Sequence, residues 1–473
     1  MEQLRELVPW IYFLAAITFI LGLKGLSGPT TAQMGNRIAA GGMLLAVIAT
    51  FLESQVASAW LLIVPAIAIG TAIGFIGARR VPMTAMPQMV AIFNGAGGGA
   101  AALVSVQEYL RATSAGTVGI GEVIAILLGL IIGGVSFSGS AVAFGKLQGL
   151  IDAKAFKYAG QQLVTGGLFA LMALGALLLI ADAAGWINVP NELVLALVGL
   201  ISLAFGVALV MPIGGADMPV VISLLNAYTG LAVAMAGFSI GNQMLIIAGT
   251  LVGASGTLLT RLMSKAMNRS LANVLFGAFG AATAATAGGA KTDDGRSVRE
   301  ISAEDAAIQL GYAQSVIIVP GYGLAVAQAQ HGVRELADLL EAKGIEVRYA
   351  IHPVAGRMPG HMNVLLAEAN VPYEKLFDME QINDDFQRAD VALVIGANDV
   401  TNPAARADKS SPIYGMPILN VDQAQNIIVI KRSMKPGFAG IDNDLYLDPK
   451  TGMLFGDAKE AVGRVVSELK KAG

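Results

Sequence analysis

The sequence predicts a polytopic α-helical membrane domain of about nine spans, followed by a soluble α/β domain with a parallel sheet. Before residue 265, apolar segments long enough to cross a bilayer follow one another with short loops between them. After residue 311, short apolar strands alternate with helical stretches. Only 14% of the 473 residues are charged and the mean hydropathy is +0.64, whereas a soluble domain averages about 25% charged residues.

The composition also excludes several classes of function. The chain has no cysteine, which excludes disulfides, thiolate metal sites, iron–sulfur clusters and cysteine nucleophiles in it. Its net charge of -3 gives no general basic surface for nucleic acid. No metal site is predicted.

The membrane segments are identified by length, because a hydrocarbon core of about 30 Å needs roughly 20 apolar helical residues. The first run is long enough to be a span in its own right. The predicted spans are 8–26, 37–53, 58–78, 86–108, 121–145, 163–183, 191–211, 218–239 and 242–263.

The basic residues predict the orientation of these spans, because cytoplasmic loops carry an excess of Lys and Arg. On one side lie Lys24, Arg37, Arg79, Arg80, Lys146, Lys154, Lys157, Arg261, Lys265 and Arg269, and on the other only Arg5 and Arg111. The bias places the N-terminus outside. An odd number of spans then places the C-terminal domain in the cytoplasm.

The polar residues within the spans are mostly neutral. Small residues such as those of N-G-A-G-G-G-A-A, from Asn94 to Ala101, allow helices to approach closely. Two interpretations remain open, tight packing alone or a narrow polar file between the helices. A relay of buried acids would show an acid in mid-span, and the sequence has none. A proton path would therefore use water held by amides and hydroxyls, or a titratable group from another chain.

Residues 266–310 are predicted to be a linker between a membrane domain, 1–265, and a nucleotide-binding domain, 311–473. Within the linker, Ser302 begins an S-x-E-D pattern typical of a capped short helix.

The soluble region is predicted to adopt a Rossmann-like fold. Its continuous apolar strands indicate a parallel sheet covered on both faces. Its ligands are expected at the carboxyl ends of the strands. The predicted strands are Ser315–Val319, Glu346–Ile351, Tyr373–Phe377, Val391–Ile395, Pro417–Val421 and Ile427–Ile430. The predicted helices are Ala325–Lys343, Met362–Ala369, Ile382–Arg388 and Ala458–Lys470.

The first two loops at those strand ends predict a dinucleotide site, and the second indicates that its ligand is not NAD. The first loop, G-Y-G-L-A-V-A from Gly321 to Ala327, has glycines that let the backbone close on a pyrophosphate beside a helix N-terminus. Helix–strand packing is the alternative explanation. The second loop begins with His352 after the second strand. A site selective for NAD usually has an acid there, and Glu346 lies at the opposite end of that strand.

The other two loops add charge and a hydroxyl. The third, G-A-N-D-V-T-N-P-A-A, carries Asp399. One interpretation is a helix cap or turn residue, and the other is a group that contacts a ligand or changes protonation. The fourth loop begins with Lys431, Arg432 and Ser433, which suit a phosphate monoester. These residues predict a 2′-phosphate site and hence NADP, the alternative being a solvated strand end. The segment between Gly437 and Gly440 is predicted to form a lid.

Together these motifs resemble the β subunit of proton-translocating NAD(P) transhydrogenase over essentially the whole chain. The four loops are similar to that family's NADP(H)-binding domain. In the membrane half, G-G-A-D-M-P-V-V-I-S-L-L-N and S-K-A-M-N-R-S are similar as well. The resemblance implies reversible direct hydride transfer between NADH and NADP⁺, coupled to inward proton translocation across a bacterial inner membrane.

The resemblance also implies a division of labour between subunits. Hydride transfer needs the reacting atoms about 3–3.5 Å apart, so two nucleotides must meet, and this chain has one nucleotide domain. NADP(H) is expected on this chain and NAD(H) on a partner alpha subunit of one or two polypeptides, in a dimer of heteromers. Since the nicotinamides carry the chemistry, no catalytic residue is predicted. The expected cofactor-binding residues are Gly321, Tyr322, Gly323, Ala325, Val326, Val354, Ala355, Gly356, Arg357, Met358, Pro359, Gly396, Asn398, Asp399, Lys431, Arg432, Ser433, Gly437, Gly440 and Asp442.

For the proton path, the resemblance implies that Asn226 and Ser255 line it, together with Asn94. Better-known members carry a His in place of Asn94, and an amide does not titrate. Two alternatives remain open: a partner span supplies the proton-binding group, or Asn94 only orients water. Asp217, Lys265 and Arg269 are expected near the cytoplasmic end. The rival function is a channel or secondary transporter gated by a regulatory nucleotide domain, and a third is a membrane anchor.

Overall fold

The computed structural model describes residues 6–26, 28, 30–52, 59–116, 119–152, 155–156, 158–267, 297–358, 360–411, 413–437 and 439–471. The chain divides into two compact units, one with the described residues up to Arg261 and the other with those from Leu262 onward. The predicted linker lies largely outside the described residues. The predicted boundaries at residues 265 and 310 stay predictions.

Within the described part of the chain, nine helices are long and apolar enough to cross a membrane, as predicted. They are α1 (Val8–Leu26), α2 (Ala32–Phe51), α3 (Trp60–Arg80), α4 (Met86–Ala115), α5 (Ile120–Gln148), α6 (Gln161–Ala183), α7 (Asn191–Val210), α8 (Met218–Ser239) and α9 (Gln243–Ala266). Several extend beyond the predicted segments, because helices continue past the apolar run.

Small residues bring the membrane helices close together. A Cβ atom added at Gly230 of α8 would lie 2.5 Å from the backbone nitrogen of Gly253 on α9. One added at Gly133 of α5 would lie 2.6 Å from the carbonyl oxygen of Gly98 on α4. Tight packing therefore accounts for these glycines.

The second unit is built on a six-stranded sheet in which all strands are parallel, in the order β3-β2-β1-β4-β5-β6. Its core residues, such as Ile317 and Val429, are fully buried. The strand order reverses between β1 and β4, which is where ligands of such sheets bind. The strands are β1 (Ser315–Pro320), β2 (Glu346–Ile351), β3 (Leu376–Asp378), β4 (Val391–Ile395), β5 (Asn426–Lys431) and β6 (Thr451–Phe455).

Short helices connect these strands. The capped helix predicted at Ser302 is present: the Asp305 backbone N–H donates to Ser302 Oγ at 3.0 Å, and the Ser302 N–H donates to Asp305 Oδ2 at 2.9 Å. The α-helices are α10 (Ala303–Gly311), α11 (Tyr322–Val326), α12 (Gln330–Ala342), α13 (His361–Glu368), α14 (Met379–Ile382), α15 (Ala404–Ala407) and α16 (Ala458–Lys471).

The structure corrects three predicted elements. The predicted strand Tyr373–Phe377 begins only at Leu376, because residues Tyr373–Lys375 form a 3-10 helix. Residues 417–421 are not a strand: Leu419 is fully buried, but its N–H donates to the Val400 carbonyl in a loop. The predicted helix Ala325–Lys343 is two helices, α11 and α12, because Gln328 adopts a φ of 51° between them.

The sequence prediction also missed strand β6. Its Gly452 packs against Ile301, where an added Cβ would lie 2.7 Å from Ile301 Cδ1. Glycine weakens the sequence pattern of a strand, and this one is required by the close approach of residue 301.

Candidate functional site

Three of the four predicted loops meet at the point where the strand order reverses. The N–H of Gly321, after β1, donates to the Ile395 carbonyl at 2.9 Å. The N–H of Gly323 donates to the Gly396 carbonyl at 2.9 Å, and that of Gly396 to the Ile430 carbonyl at 3.1 Å. Backbone hydrogen bonds therefore join the ends of β1, β4 and β5.

The glycines of these loops are required by contact between the loops. A Cβ atom at Gly321 would lie 2.4 Å from the Ala397 backbone. Gly396 has a φ of +66°, and its Cβ would lie 2.4 Å from the Cα atom of Gly323. Loop packing thus explains both glycines of the first loop, and the pattern alone does not assign a phosphate to it.

The second loop, His352 to Met362, is folded around the buried imidazole of His352. The Val354 N–H donates to His352 Nδ1 at 3.3 Å, and His352 Nε2 lies 2.9 Å from the Pro417 carbonyl oxygen. Nδ1 accepts a hydrogen bond, so the proton is on Nε2, which donates to Pro417. Burial lowers the pKa of His352 to about 4, so this imidazole is neutral at pH 7.

The other end of the second loop is held by His361, at the start of α13. The Arg357 N–H donates to His361 Nδ1 at 3.1 Å. Gly356 lies against the same ring with a φ of +105°, where a Cβ would be 2.3 Å from Nδ1. Burial first, and then the nearby Arg357, lower the pKa of His361. The guanidinium of Arg357 lies over the ring of Tyr322 at 4.5 Å, which joins the first and second loops.

The third loop contacts the predicted lid through Asp399. Its Oδ2 accepts the N–H of Ala439 at 3.0 Å. A Cβ atom at Gly437 would lie 2.7 Å from Asp399 Oδ1 and 2.9 Å from the Nδ2 atom of Asn398. The lid segment therefore lies directly on the third loop.

Two buried residues that the sequence did not single out support Asn398. Asn443 Nδ2 donates to the Asn398 carbonyl at 3.0 Å and to its Oδ1 at 3.1 Å. The hydroxyl of Tyr446 lies 3.0 Å from the same Oδ1 and 3.2 Å from the Ala397 carbonyl oxygen. Burial raises the pKa of Tyr446, so the hydroxyl is a donor. These residues lie more than 40 positions beyond Asn398 in the sequence, and no local pattern points to them.

The three residues predicted to bind phosphate lie together at the end of β5. Lys431 is half-buried, Arg432 is exposed and Ser433 is half-buried. Lys431 Nζ donates to the Lys435 carbonyl at 2.5 Å and lies 5.0 Å from the centre of the Tyr446 ring. Burial lowers the pKa of Lys431, while Asp399 and Asp442 act in the opposite direction.

The other predicted cofactor residues surround these loops. Ala325 and Ala355 are buried, whereas Val326 is 42% exposed. Val354 and Met358 are half-buried. Pro359 lies outside the described residues. Gly440 has a φ of +71°, and the Asp442 carbonyl accepts Asn402 Nδ2 at 3.0 Å.

In the membrane unit, Asn94 lies in a polar cluster between α4, α5 and α8. Its Nδ2 donates to Ser140 Oγ at 2.9 Å and to Ser136 Oγ at 3.3 Å. Ser136 Oγ donates to the Leu225 carbonyl at 2.9 Å and lies 2.6 Å from Thr229 Oγ1. The Oδ1 atom of Asn94 is buried and has no hydrogen-bond partner among the described residues. Ser136 and Ser140 were missed as site residues because their serine-rich run also suits close packing.

The other predicted proton-path residues are dispersed. Asn226 is half-buried on α8, one turn before Thr229. Ser255 is exposed, and its hydroxyl donates to the Val252 carbonyl of its own helix at 3.2 Å. Asp217 lies in the turn before α8, and Lys265 in the last turn of α9. Arg269 lies outside the described residues.

Comparison with known proteins identifies the family. The family profile described as NAD(P) transhydrogenase beta subunit matches residues 8–468. A protein of Rhodospirillum rubrum named NAD(P) transhydrogenase subunit beta is 53% identical over 465 residues, which cover 97% of this chain and 98% of that protein. The same values hold for the protein of that name from strain ATCC 11170 of the species. The chain belongs to the NAD(P) transhydrogenase beta subunit family.

The resemblance inferred from the motifs is therefore confirmed. Membership of the NAD(P) transhydrogenase beta subunit family makes the chain a subunit of a transhydrogenase. It does not favour the alternative of a channel or transporter gated by a regulatory domain. The word "beta" implies an alpha partner, and the nine apolar helices fit a membrane protein with a C-terminal soluble domain.

Proposed function

We propose that this chain supplies the NADP(H) site and most of the membrane path of a proton-translocating transhydrogenase. The complex transfers a hydride reversibly and directly between NADH and NADP⁺, coupled to inward proton translocation. The observation that carries the cofactor assignment is the position of Lys431, Arg432 and Ser433. Lys431 ends β5 and the other two follow it, at the sheet edge where the first, third and fourth loops are hydrogen-bonded together.

The residues present fit a 2′-phosphate. A lysine, an arginine and a hydroxyl within three positions offer a point charge, a planar fork and a further donor. The end of β2 carries the buried, neutral His352 instead of the acid that would bind a ribose diol. Both features favour NADP(H) over NAD(H) on this chain.

The chain's own groups then position and enclose the cofactor, whose nicotinamide supplies the hydride chemistry when bound. The first and second loops, joined by Tyr322 and Arg357, form one wall of the site. The lid between Gly437 and Gly440 lies on Asp399 and forms the other. Opening of the lid would break the Asp399–Ala439 hydrogen bond, which makes Asp399 our candidate for coupling nucleotide release to proton movement.

The reaction requires an NAD(H)-binding alpha partner, of one or two polypeptides. The two nicotinamides must come within about 3–3.5 Å of each other, and this chain contributes one nucleotide domain. We propose that the complete enzyme is a dimer of such heteromers.

The proton path is proposed to pass the Asn94 cluster and Asn226, with Ser255 along it and with Asp217, Lys265 and Arg269 near its cytoplasmic end. Asn94 cannot itself titrate. Its buried Oδ1, which has no partner among the described residues, suits a hydrogen-bonded water, and a partner span would supply the titratable group. A driving force of about 200 mV would contribute ~4.6 kcal/mol per proton, enough to shift a balanced redox ratio about a thousandfold.

The bias of basic residues and the odd number of spans support an N-terminus outside and a cytoplasmic C-terminal domain. We place the complex in a bacterial inner membrane, with residues 1–265 as its membrane domain, 266–310 as a linker and 311–473 as its NADP(H) domain.

Coupling is tested by reconstituting the chain with its alpha partner in sealed vesicles and measuring NADPH formation from NADH. We expect a pH gradient that drives protons towards the side of the nucleotide domain to accelerate NADPH formation and to shift its final extent. A rate and an end point that are insensitive to the gradient would contradict the coupled function.

The cofactor assignment is tested on the full-length chain by measuring the affinities for NADP⁺ and NAD⁺. We expect a clear preference for NADP⁺ that Arg432→Ala reduces, by about 1.5–3 kcal/mol for a charge-assisted contact. Lys343→Ala removes an exposed positive charge just before β2, at the opposite edge of the same sheet, and should leave the preference unchanged. Equal binding of both nucleotides would refute the phosphate site.

A further inference from the structure

Tyr446 is a buried residue beneath the candidate phosphate site, and no sequence motif singles it out. Its side chain is 2% exposed. Lys431 Nζ lies over the ring, 5.0 Å from its centre, and the hydroxyl lies within hydrogen-bond distance of the Ala397 carbonyl oxygen and Asn398 Oδ1. It therefore contacts the third and the fourth loops at once.

The ring stabilises the Lys431 ammonium without adding a charge. Lysine is a flexible point charge, and here Nζ is held between the ring and the Lys435 carbonyl. A carboxylate in the place of the ring would attract the ammonium more strongly, but it would also repel a phosphate. An aromatic face stabilises the cation through its quadrupole and leaves the positive charge available to an anion.

The hydroxyl of Tyr446 determines how the Asn398 amide is oriented. Asn398 Oδ1 accepts hydrogen bonds from Tyr446 and from Asn443 Nδ2. The opposite atom, Asn398 Nδ2, is buried and has no hydrogen-bond partner among the described residues. It lies 2.9 Å from the position that a Cβ atom on Gly437 of the lid would occupy. Tyr446 therefore orients an unpaired donor towards Gly437 of the lid.

We propose that Tyr446 is a positioning residue of the nucleotide site that acts through two groups. Its ring holds Lys431 for the 2′-phosphate, and its hydroxyl fixes Asn398 so that Nδ2 donates to the bound nucleotide. This inference rests on the proposed NADP(H) function.

The two roles are separated by two substitutions in the full-length chain. Tyr446→Phe removes only the hydroxyl, so it should weaken NADP⁺ and NAD⁺ by a similar factor, about fivefold for one hydrogen bond, and keep the preference between them. Tyr446→Leu also removes the ring, so it should lower the preference for NADP⁺ over NAD⁺, by about 3- to 30-fold for a partly desolvated cation–π contact.

A double variant tests whether the ring acts through the lysine. In a Lys431→Met background the ammonium is absent, so adding Tyr446→Leu should cause no further loss of preference for NADP⁺. Tyr349 of β2 is also fully buried and serves as the matched control. Tyr349→Leu destabilises the same unit, but it should leave the ratio of the two affinities unchanged.

The results separate a failure of this inference from a failure of the proposed function. If the wild-type chain shows no preference for NADP⁺, or Lys431→Met does not lower it, the proposed cofactor site is wrong. If Lys431→Met lowers the preference and Tyr446→Leu does not, the role of Tyr446 is wrong. A fall of the same size with Tyr349→Leu would also overturn it, because the loss would then reflect destabilisation.

Discussion

At the scale of single residues, the buried His352 makes the stability of the soluble unit depend on pH. Its pKa is about 4 in the folded chain, below the usual histidine value of 6.5, because burial penalises the imidazolium. As the pH falls below 6.5, the unfolded chain binds a proton that the folded one does not. The free energy of unfolding should therefore fall, by up to about 3 kcal/mol between pH 6.5 and pH 4.

Hydrogen exchange of the β2 and β5 amides in the full-length chain measures this effect. His352→Gln keeps an N–H donor for the Pro417 carbonyl but removes the titrating group. We expect this variant to be less stable at pH 7 and less sensitive to acid. An equal loss of protection in both proteins on acidification would exclude His352 as the source.

Gly437 tests the contact between the lid and the third loop. In Gly437→Ala the new methyl group would lie 2.7 Å from Asp399 Oδ1 and 2.9 Å from Asn398 Nδ2. Overpacking of this kind costs about 1–3 kcal/mol, so we expect the affinity for NADP⁺ to fall about tenfold. Gly463→Ala, in the exposed part of α16 with nothing within 4 Å, is the control. Unchanged affinity in Gly437→Ala would show that the lid does not close in this way.

The site could be predicted from the sequence only where its residues form a local pattern. Lys431, Arg432 and Ser433 are contiguous at the end of an apolar strand, so a phosphate site could be predicted from them, and it stays a prediction. Tyr446 and Asn443 act on Asn398 from more than 40 residues away. Neither residue type is unusual there, and only the folded chain shows what they support.

At the scale of elements, the Asn94 cluster joins α4, α5 and α8 and allows a matched comparison of two serines. Ser136 bonds to Leu225 and Thr229 on another helix. Ser138 bonds only to the Gly134 and Val135 carbonyls of its own helix among the described residues. An interhelical hydrogen bond in a membrane contributes about 0.6 kcal/mol, and up to about 1.7.

We therefore expect Ser136→Ala to lower the number of protons moved per hydride in vesicles, whereas Ser138→Ala leaves it near the wild-type value. Nucleotide exchange without a gradient reports on the soluble site and should change in neither variant. Equal coupling in both variants would remove Ser136 from the proton path.

The elements were predicted best where the apolar run is long. All nine long apolar helices of the described residues were predicted, because about 20 apolar residues in a row have few other structures available to them. Short segments were less certain. Residues 417–421 bury apolar side chains without pairing in the sheet, and β6 pairs with β5 despite Gly452. Tertiary contacts decided both cases.

At the scale of the whole molecule, the proposed orientation follows from the bias of basic residues together with the odd number of spans. It can be tested with single cysteines, because the chain has none of its own. Trp186, between α6 and α7, is 80% exposed and predicted outside. Leu150, after α5, and Tyr312, after α10, are 73% and 88% exposed and predicted in the cytoplasm.

A membrane-impermeant thiol reagent should therefore label Trp186→Cys in sealed right-side-out vesicles. It should label Leu150→Cys and Tyr312→Cys only in inverted vesicles, and the wild-type chain gives the background. If Leu150→Cys and Tyr312→Cys were labelled from opposite sides, the number of spans between them would be odd and a helix would be misassigned. If all three positions were labelled from the sides opposite to those expected, the nine spans would stand. The charge bias would then have been misread, and the proposed direction of proton movement relative to the nucleotide site would be reversed.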